Sequence, residues 1–494
     1  MTASITHDSL FIDGAWTESS GNDRVEVISP STEEVFGSVP SATREDVDAA
    51  VASARRAFVS GPWPHTKPEE RATILQTVRA AIERDRERLA ELVTNEMGAP
   101  IAQSRAIQVG VPLMMIDSFV ELSQTFPFQQ VRVSDSGSAL VTREPVGVVA
   151  AIVPWNVPLT VAMMKLAPAL LTGCTVVLKP ALETPLSTLA LARLFEEAGL
   201  PPGVVNVIPA GREVSEYLVQ HPAVDKVTFT GSTAAGRRIA SLCGENLKRV
   251  TLELGGKSAA VVLDDADLDS TVEALRLGSL RNSGQICSLK TRLLVSHRRH
   301  DEFIDRLRSL VESMPVGDPH DSDTQIGPMV SKRQRDVVNS YIAIGKEQGA
   351  DAVLGGRQSE KGKGYFVDPT VFTNVTADMR IAQEEIFGPV LSVIKYTDED
   401  EAIAIANDSA YGLNGAVFSE DLEHGIRVAS RIRTGAVEIN GNPVGFHSPV
   451  GGFKASGIGR EAGHEGLEAY VEPRSLGLPR DFAEKLIADG SRPN

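Results

Sequence analysis

A chain of 494 residues carries only three cysteines. One of them, Cys287, closes the polar run NSGQIC at 282–287. A structural cysteine behaves as a small hydrophobe and takes apolar neighbours; here the surrounding run, Asn282, Ser283, Gln285 and Ser288, is mostly polar. A reactive thiol needs partial exposure and a stabilised thiolate, and Gly284 allows close backbone approach to a ligand. Taken alone, the run fits a buried structural cysteine at least as well. Glu253, in LELGGK at 252–257, has two readings. It is the solvent-facing member of a half-buried strand, or a general base whose apolar setting lifts its pKa toward neutrality. Gly255 and Gly256 would let a flat ligand pass close to the backbone. Asn156, in PWNVP at 154–158, either caps the helix that follows or aims its amide at an oxyanion. In FTGSTAAGR, 229–237, Gly231, Ser232 and Thr233 open a helix directly after a strand. Free N–H groups and a hydroxyl there suit a phosphate; a plain hydroxyl cap is the competing reading. GIGREA, 457–462, matches G-x-G-x-x-A but lacks a preceding strand, and it reads as a turn.

Such groups need a frame to hold them. GVVAAIVP (147–154), CTVVLKP (174–180), VVNVIP (204–209) and KVTFTGS (226–232) are short β-branched runs separated by Ala- and Leu-rich helical stretches. That alternation predicts a parallel, doubly wound sheet buried on both faces. Such sheets bind ligands at the carboxyl ends of their strands. A second βα region is expected from about 258 to 450. The stretch 124–144 alternates like a hairpin, and YVEPRSLGL, 470–478, is strand-like. Near the start, short strands give way to a helix capped by Thr43 and Asp46. A second long helical pattern opens at Pro68 and stops at GAP, 98–100.

Length predicts at least two domains. The composition, 42% apolar and 23% charged, is that of a soluble globular protein. A net charge of −16 disfavours nucleic acid as a partner. Three cysteines cannot make a disulfide framework, which points to a reducing compartment. The amino-terminal residues do not read as a signal peptide, and no apolar run approaches the roughly 20 residues of a membrane span. A cytoplasmic enzyme is the expectation.

Across residues 10–470 the chain closely resembles the aldehyde dehydrogenase superfamily. The resemblance is carried by PWNVP, KPALETP, FTGSTAAGR, LELGGK, GQIC, EEIFGPV (384–390) and GGFKASGIGRE (451–461), in that order and spacing. It implies an α/β, aldehyde-dehydrogenase-like fold of two doubly wound parallel domains with a small β oligomerisation arm. The implied boundaries are 1–123 and 145–255 for a Rossmann-like dinucleotide-binding domain and 256–450 for a catalytic domain. The arm and carboxyl-terminal strand would be 124–144 and 465–494. The resemblance also implies roles. Cys287 would be the nucleophile, Glu253 the general base, and Asn156 the oxyanion donor together with the Cys287 amide. Cofactor contacts would come from Trp155, Lys179, Gly231, Ser232, Leu254, Glu385 and Phe387, with NAD as cofactor and NADP as a second possibility. Leu182 stands where many NAD-preferring members carry a glutamate, so a 2′-phosphate would meet no carboxylate there. Val450 stands where phenylalanine is usual. Pocket walls would be Val157, Val161, Met164, Ile286, Ser288 and Phe446, with no arginine among them. The expected substrate is therefore an uncharged aliphatic, terpenoid or aromatic aldehyde, oxidised to its acid. Acyl transfer to coenzyme A and a non-catalytic binding role are the alternatives. No metal is implied. A homodimer or homotetramer is implied, with the 124–144 hairpin pairing across an interface with the strand near 471–478.

Overall fold

The computed structural model describes residues 5–488. The expected assignments at 1–4 and 489–494 lie outside the described residues. The parallel runs form an eight-stranded sheet. From one edge its strands are Gly457–Ile458, Arg249–Glu253, Lys226–Thr230, Val148–Ile152, Thr175–Lys179, Val205–Val207, Ser9–Ile12 and Ala15–Glu18. The five central strands are mutually parallel, and each outer strand pairs antiparallel with its inner neighbour. All five residues of Val148–Ile152 are buried, as expected for a strand covered by helices on both faces. One covering helix, Pro158–Thr172, starts on a proline at its first turn and is apolar on nearly every side. A seven-stranded sheet is drawn wholly from residues 258–439.

A third, three-stranded sheet joins Val471–Leu478, Gly137–Pro145 and Gln129–Ser134. The first two pair residue for residue from Val471↔Pro145 to Leu478↔Ser138 within one chain. This corrects the expectation that they would pair across an interface: the last strand returns to the hairpin of its own chain.

Three further differences have local causes. The helical pattern from Pro68 is two helices, Pro68–Arg84 and Arg86–Met97, because Asp85 leaves helical geometry between them. The run Ile101–Thr125 is long and apolar enough, by length and composition, to cross a membrane, contrary to the sequence expectation. Its apolar faces pack against Pro68–Arg84 and Pro158–Thr172. Within it, Ser104–Val109 is wound as a π-helix, a local widening that often marks functional regions. Finally, the GIGREA run is more than a turn. Gly457–Ile458 adds an antiparallel edge to Arg249–Glu253, with Leu252 opposite Ile458.

Candidate active site

The carboxyl ends of the parallel strands deliver four of the sequence candidates to one side of the first sheet. Lys179 and Glu253 are the last residues of their strands. Asn156 follows Val148–Ile152, and Gly231 follows Lys226–Thr230. The nucleophile candidate comes from the second sheet's side, on a turn before Lys290–Ser296.

That turn is wound backwards. Asn282, Ser283 and Gly284 are successive left-handed residues, with φ of 54°, 57° and 77°. Left-handed geometry is unfavourable for residues with a Cβ, so other contacts must hold it. Gln103 Oε1 accepts from the Asn282 amide at 2.7 Å. Ser283 Oγ accepts from the Gly327 amide at 2.9 Å, and Gln285 Oε1 accepts from the Val330 amide at 3.0 Å. Gly284 is needed for a reason the sequence did not suggest. A Cβ there would collide with the Gly388 carbonyl, so the close approach is to protein backbone rather than to ligand. Likewise a Cβ on Gly256 would strike the Cys287 carbonyl, and one on Gly255 would strike the Glu385 carboxylate. These glycines bring the strand end, the Cys287 turn and the EEIFGPV loop together.

Asn156 is buried, and no side-chain cap is made: Val157 occupies the cap position. Its Nδ2 donates to the Gln285 carbonyl at 2.9 Å. Its own carbonyl accepts from Gln108 Nε2 and Asn282 Nδ2, both at 3.0 Å. Gln108 belongs to the π-helical turn. The Asn156 backbone is thus held by Gln108 and Asn282, and its side-chain amide by Gln285, which lies two residues before Cys287.

Cys287 is half-buried. Burial pushes its thiol up to about 12; the Glu385 and Glu253 carboxylates push the same way, while its own amide and Arg281 pull against them. Glu253 is buried, and its Oε1 has no hydrogen-bond partner. Burial raises its pKa well above the carboxylate range, and the nearby Glu461 adds to that; Lys165 and Arg460 oppose it. Glu461, inside the run read as a turn, is itself buried. It accepts from Lys165 Nζ at 2.5 Å and Thr228 Oγ1 at 3.2 Å. Neither Glu461 nor Lys165 was singled out from sequence. The available signal was the lysine inside VAMMKLAPALL, since a charge in an apolar helix is rarely buried without a partner.

The cofactor candidates form a consistent donor set. Burial pulls the Lys179 ammonium down to about 8, with Glu183 pulling back. Glu385 Oε1 accepts from the Gly256 amide at 2.9 Å, and burial pushes its carboxyl up to about 7. The Trp155 and Phe387 rings meet edge to face, 5.4 Å between centroids. Buried Leu254 packs under Gly236, where a Cβ would meet its methyls. Ser232 is exposed and caps its helix, accepting from the Ala235 amide at 3.3 Å. The Gly231 amide is not free for a phosphate: it donates to the Glu253 carbonyl at 3.0 Å. A cation, a hydroxyl, a buried carboxylate and an aromatic wall fit the ribose, phosphate and ring portions of a dinucleotide.

Of the pocket candidates, Val161 is buried, while Val157, Met164, Ile286, Ser288 and Phe446 are half-buried. An arginine lies beside one of these candidates, outside the set expected from sequence. Arg281 Nη2 donates to Ser288 Oγ at 3.3 Å, and the guanidinium lies within electrostatic reach of Cys287. Arg281 precedes the sequence motif, which is why a motif-centred reading passed it by. Among the described residues no cluster of His, Cys, Asp and Glu is suited to hold a metal ion.

A doubly wound sheet ending on a lysine and a carboxylate, with a donor set suited to a dinucleotide at its strand ends, is the frame of a dinucleotide-dependent oxidoreductase. The chain belongs to the aldehyde dehydrogenase family: the family's profile, described as the aldehyde dehydrogenase family, matches residues 16–476. It is 45% identical over 475 residues to the geranial dehydrogenase of Castellaniella defragrans, covering 96% of this chain and 99% of that one. It is 46% identical to a Mycobacterium tuberculosis aldehyde dehydrogenase solved in complex with NAD+, with a TM-score of 0.95, covering 97% of this chain and 99% of that one. A Pseudomonas syringae aldehyde dehydrogenase C mutant, solved with NAD+ and octanal, is 41% identical with a TM-score of 0.92, covering 95% and 96%.

Proposed function

We propose that this chain oxidises an aldehyde with a mainly apolar body to its carboxylic acid, with Cys287 as nucleophile, Glu253 as general base and NAD as hydride acceptor. The observation that carries the reading is the meeting of a half-buried Cys287, an Asn156 amide fixed by Gln285, and a buried Glu253 with an unpartnered oxygen. Glu253, held high in pKa, takes the proton from the Cys287 thiol. The Cys287 sulfur attacks the aldehyde carbon and gives a tetrahedral thiohemiacetal. Asn156 Nδ2 and the Cys287 amide stabilise its oxyanion, each donor contributing roughly 3 kcal/mol to the transition state. A nicotinamide dinucleotide would supply the hydride acceptor, and Lys179, Ser232 and Glu385 would hold it, with Trp155, Phe387 and Leu254 as walls. Loss of hydride leaves a thioester on Cys287. Once it has passed the thiol proton to solvent, Glu253 takes a proton from a water that attacks the thioester, and returns it to the departing Cys287 sulfur as the acid is released.

NAD is favoured over NADP because no added Lys or Arg accompanies Leu182 in KPALETP; NAD+ in the solved relatives supports the same choice. The geranial and octanal named for two relatives support an apolar substrate body. The exposed Leu476, Phe482 and Ile487 at the carboxyl-terminal strand and helix support self-association into a dimer or tetramer, which light scattering would measure.

The test is NAD(P)H formation over a panel of aldehydes, with acid product quantified with and without coenzyme A. Cys287→Ala should abolish it. Unchanged turnover in that variant would remove Cys287 from the chemistry, and a thioester of coenzyme A as product would replace hydrolysis with acyl transfer.

A further inference from the structure

Asn156 and the Cys287 turn are both tied to one short stretch of chain that the proposed chemistry leaves without a task. Ser104–Val109 is wound as a π-helix, and the Gly110 amide donates back to the Arg105 carbonyl. In an α-helix, residues five apart point about 140° away from each other. A π-turn bonds residue i to residue i+5 and sets such residues one above the other. Gln103, just before this turn, and Gln108, inside it, have that spacing. Gln103 Oε1 accepts from the Asn282 amide at 2.7 Å, on the Cys287 turn. Gln108 Nε2 donates to the Asn156 carbonyl at 3.0 Å. Asn282 Nδ2 donates to the same carbonyl at 3.0 Å, and Asn156 Nδ2 donates to the Gln285 carbonyl at 2.9 Å. From the helix after Asn156, the Thr160 hydroxyl donates to the Ile107 carbonyl of the π-turn at 3.3 Å. One widened turn thus grips both the loop that carries Asn156 and the turn that carries Cys287.

Gln108 weakens the fold it sits in. Its side chain is buried, and Oε1 has no hydrogen-bond partner. Turning the amide round gives no relief, because the Asn156 carbonyl only accepts and must face the nitrogen. A buried acceptor without a donor lowers stability. An apolar side chain of similar length would remove that acceptor, and the Asn156 carbonyl would still have Asn282 Nδ2. A local rule broken at the expense of the fold is a mark of a functional site.

We infer that Gln108 is a positioning residue for the reaction: by holding the Asn156 backbone from the π-turn, it fixes the direction in which the Asn156 side-chain amide meets the oxyanion. It acts through Asn156, so its effect falls on the chemical step rather than on binding. The inference rests on Asn156 being the oxyanion donor.

The test measures Tm, KM, kcat and the single-turnover rate of NADH formation, with octanal and NAD, in the full chain carrying Gln108→Met or Gln108→Leu. Both variants should keep or raise Tm, since the unpartnered acceptor is gone. The single-turnover rate should fall by about 10- to 100-fold, the upper end being the effect of a displacement of about 1 Å. KM for octanal and for NAD should stay within about two-fold of wild type, the pattern of an interaction that serves the transition state alone. In an Asn156→Ala background, Gln108→Met should lower the rate no further, because groups that act as one unit are not additive. An unchanged rate overturns the inference, and so does a loss confined to KM. A lowered Tm or a failure to fold in both variants overturns it too, making Gln108 a structural residue. Full additivity with Asn156→Ala would show that Gln108 does not act through Asn156. Wild-type turnover in Asn156→Ala alone would remove the oxyanion reading and the inference with it. A slow Asn156→Ala beside an unaffected Gln108→Met removes the inference only.

Discussion

Cys287 and Glu253 are both placed where ionisation is expensive. A thiol pushed up to about 12 is almost wholly protonated near neutral pH, so its reactivity depends on a base. Glu253 works as a base only when deprotonated, and its raised pKa means that its ionised fraction grows over a pH range higher than that of an ordinary carboxylate. Activity should therefore climb with pH over that range. Glu253→Gln should flatten the climb and slow turnover by about 100- to 10,000-fold. Intact-mass analysis should then show that whatever acyl adduct does form on Cys287 persists longer than in the wild type, because hydrolysis has lost its base. A variant that keeps the slope and shows no longer-lived adduct would refute the base assignment. Asn156→Ala should lower kcat by about 100- to 1,000-fold in steady-state assays. Cys287, Glu253 and Asn156 could be picked out of the sequence because each sits in a short run with its own chemical logic. Glu461 could not. It becomes meaningful only through Lys165, 296 residues away, and through the charge it adds beside Glu253.

The same contrast holds for elements. A strand ending in LELGGK and a helix opening in GSTAAGR were readable from their β-branched runs and glycines. The left-handed turn at Asn282–Gly284 was not: asparagine and glycine adopt positive φ readily, but the serine between them does not, and three successive left-handed residues carry no local sequence sign. What holds that turn is Gln103, Gly327 and Val330, all distant in sequence. Gly284→Ala tests the turn as a unit. The left-handed φ would cost about 1–2 kcal/mol, and the new Cβ would press on Gly388, moving the EEIFGPV loop against the nucleophile. A displacement of about 1 Å in a reacting group costs on the order of 100-fold. Circular dichroism should show a folded chain with a lower Tm, and kcat should drop by about that factor. An alanine variant with wild-type kcat would show the turn to be unimportant for positioning.

At the scale of the molecule, alternating strands and helices made the doubly wound sheet readable, because a buried parallel strand must be apolar on both faces. The return of the last strand to its own hairpin was not readable, since alternation specifies a pairing face but not whose partner it is. The buried Lys165–Glu461 pair ties the helix after the first central strand to the last part of the chain. Lys165→Met leaves Glu461 buried and uncompensated, which should cost about 3–5 kcal/mol, seen as a lower urea midpoint. Removing a charge that lowers the Glu253 pKa should also move the rise of activity to higher pH. Unchanged values for both would mean the pair contributes nothing to either. The first sheet has one edge built from Ser9–Glu18 and the other from Gly457–Ile458. During synthesis, its central strands emerge early but wait for almost the whole chain before the Glu253 strand gains its outer neighbour. A nascent chain halted before residue 457 exposes that strand as an open edge, the kind of surface that recruits other β-strands. Ribosome stalling or truncation there should give aggregates rather than a soluble first domain.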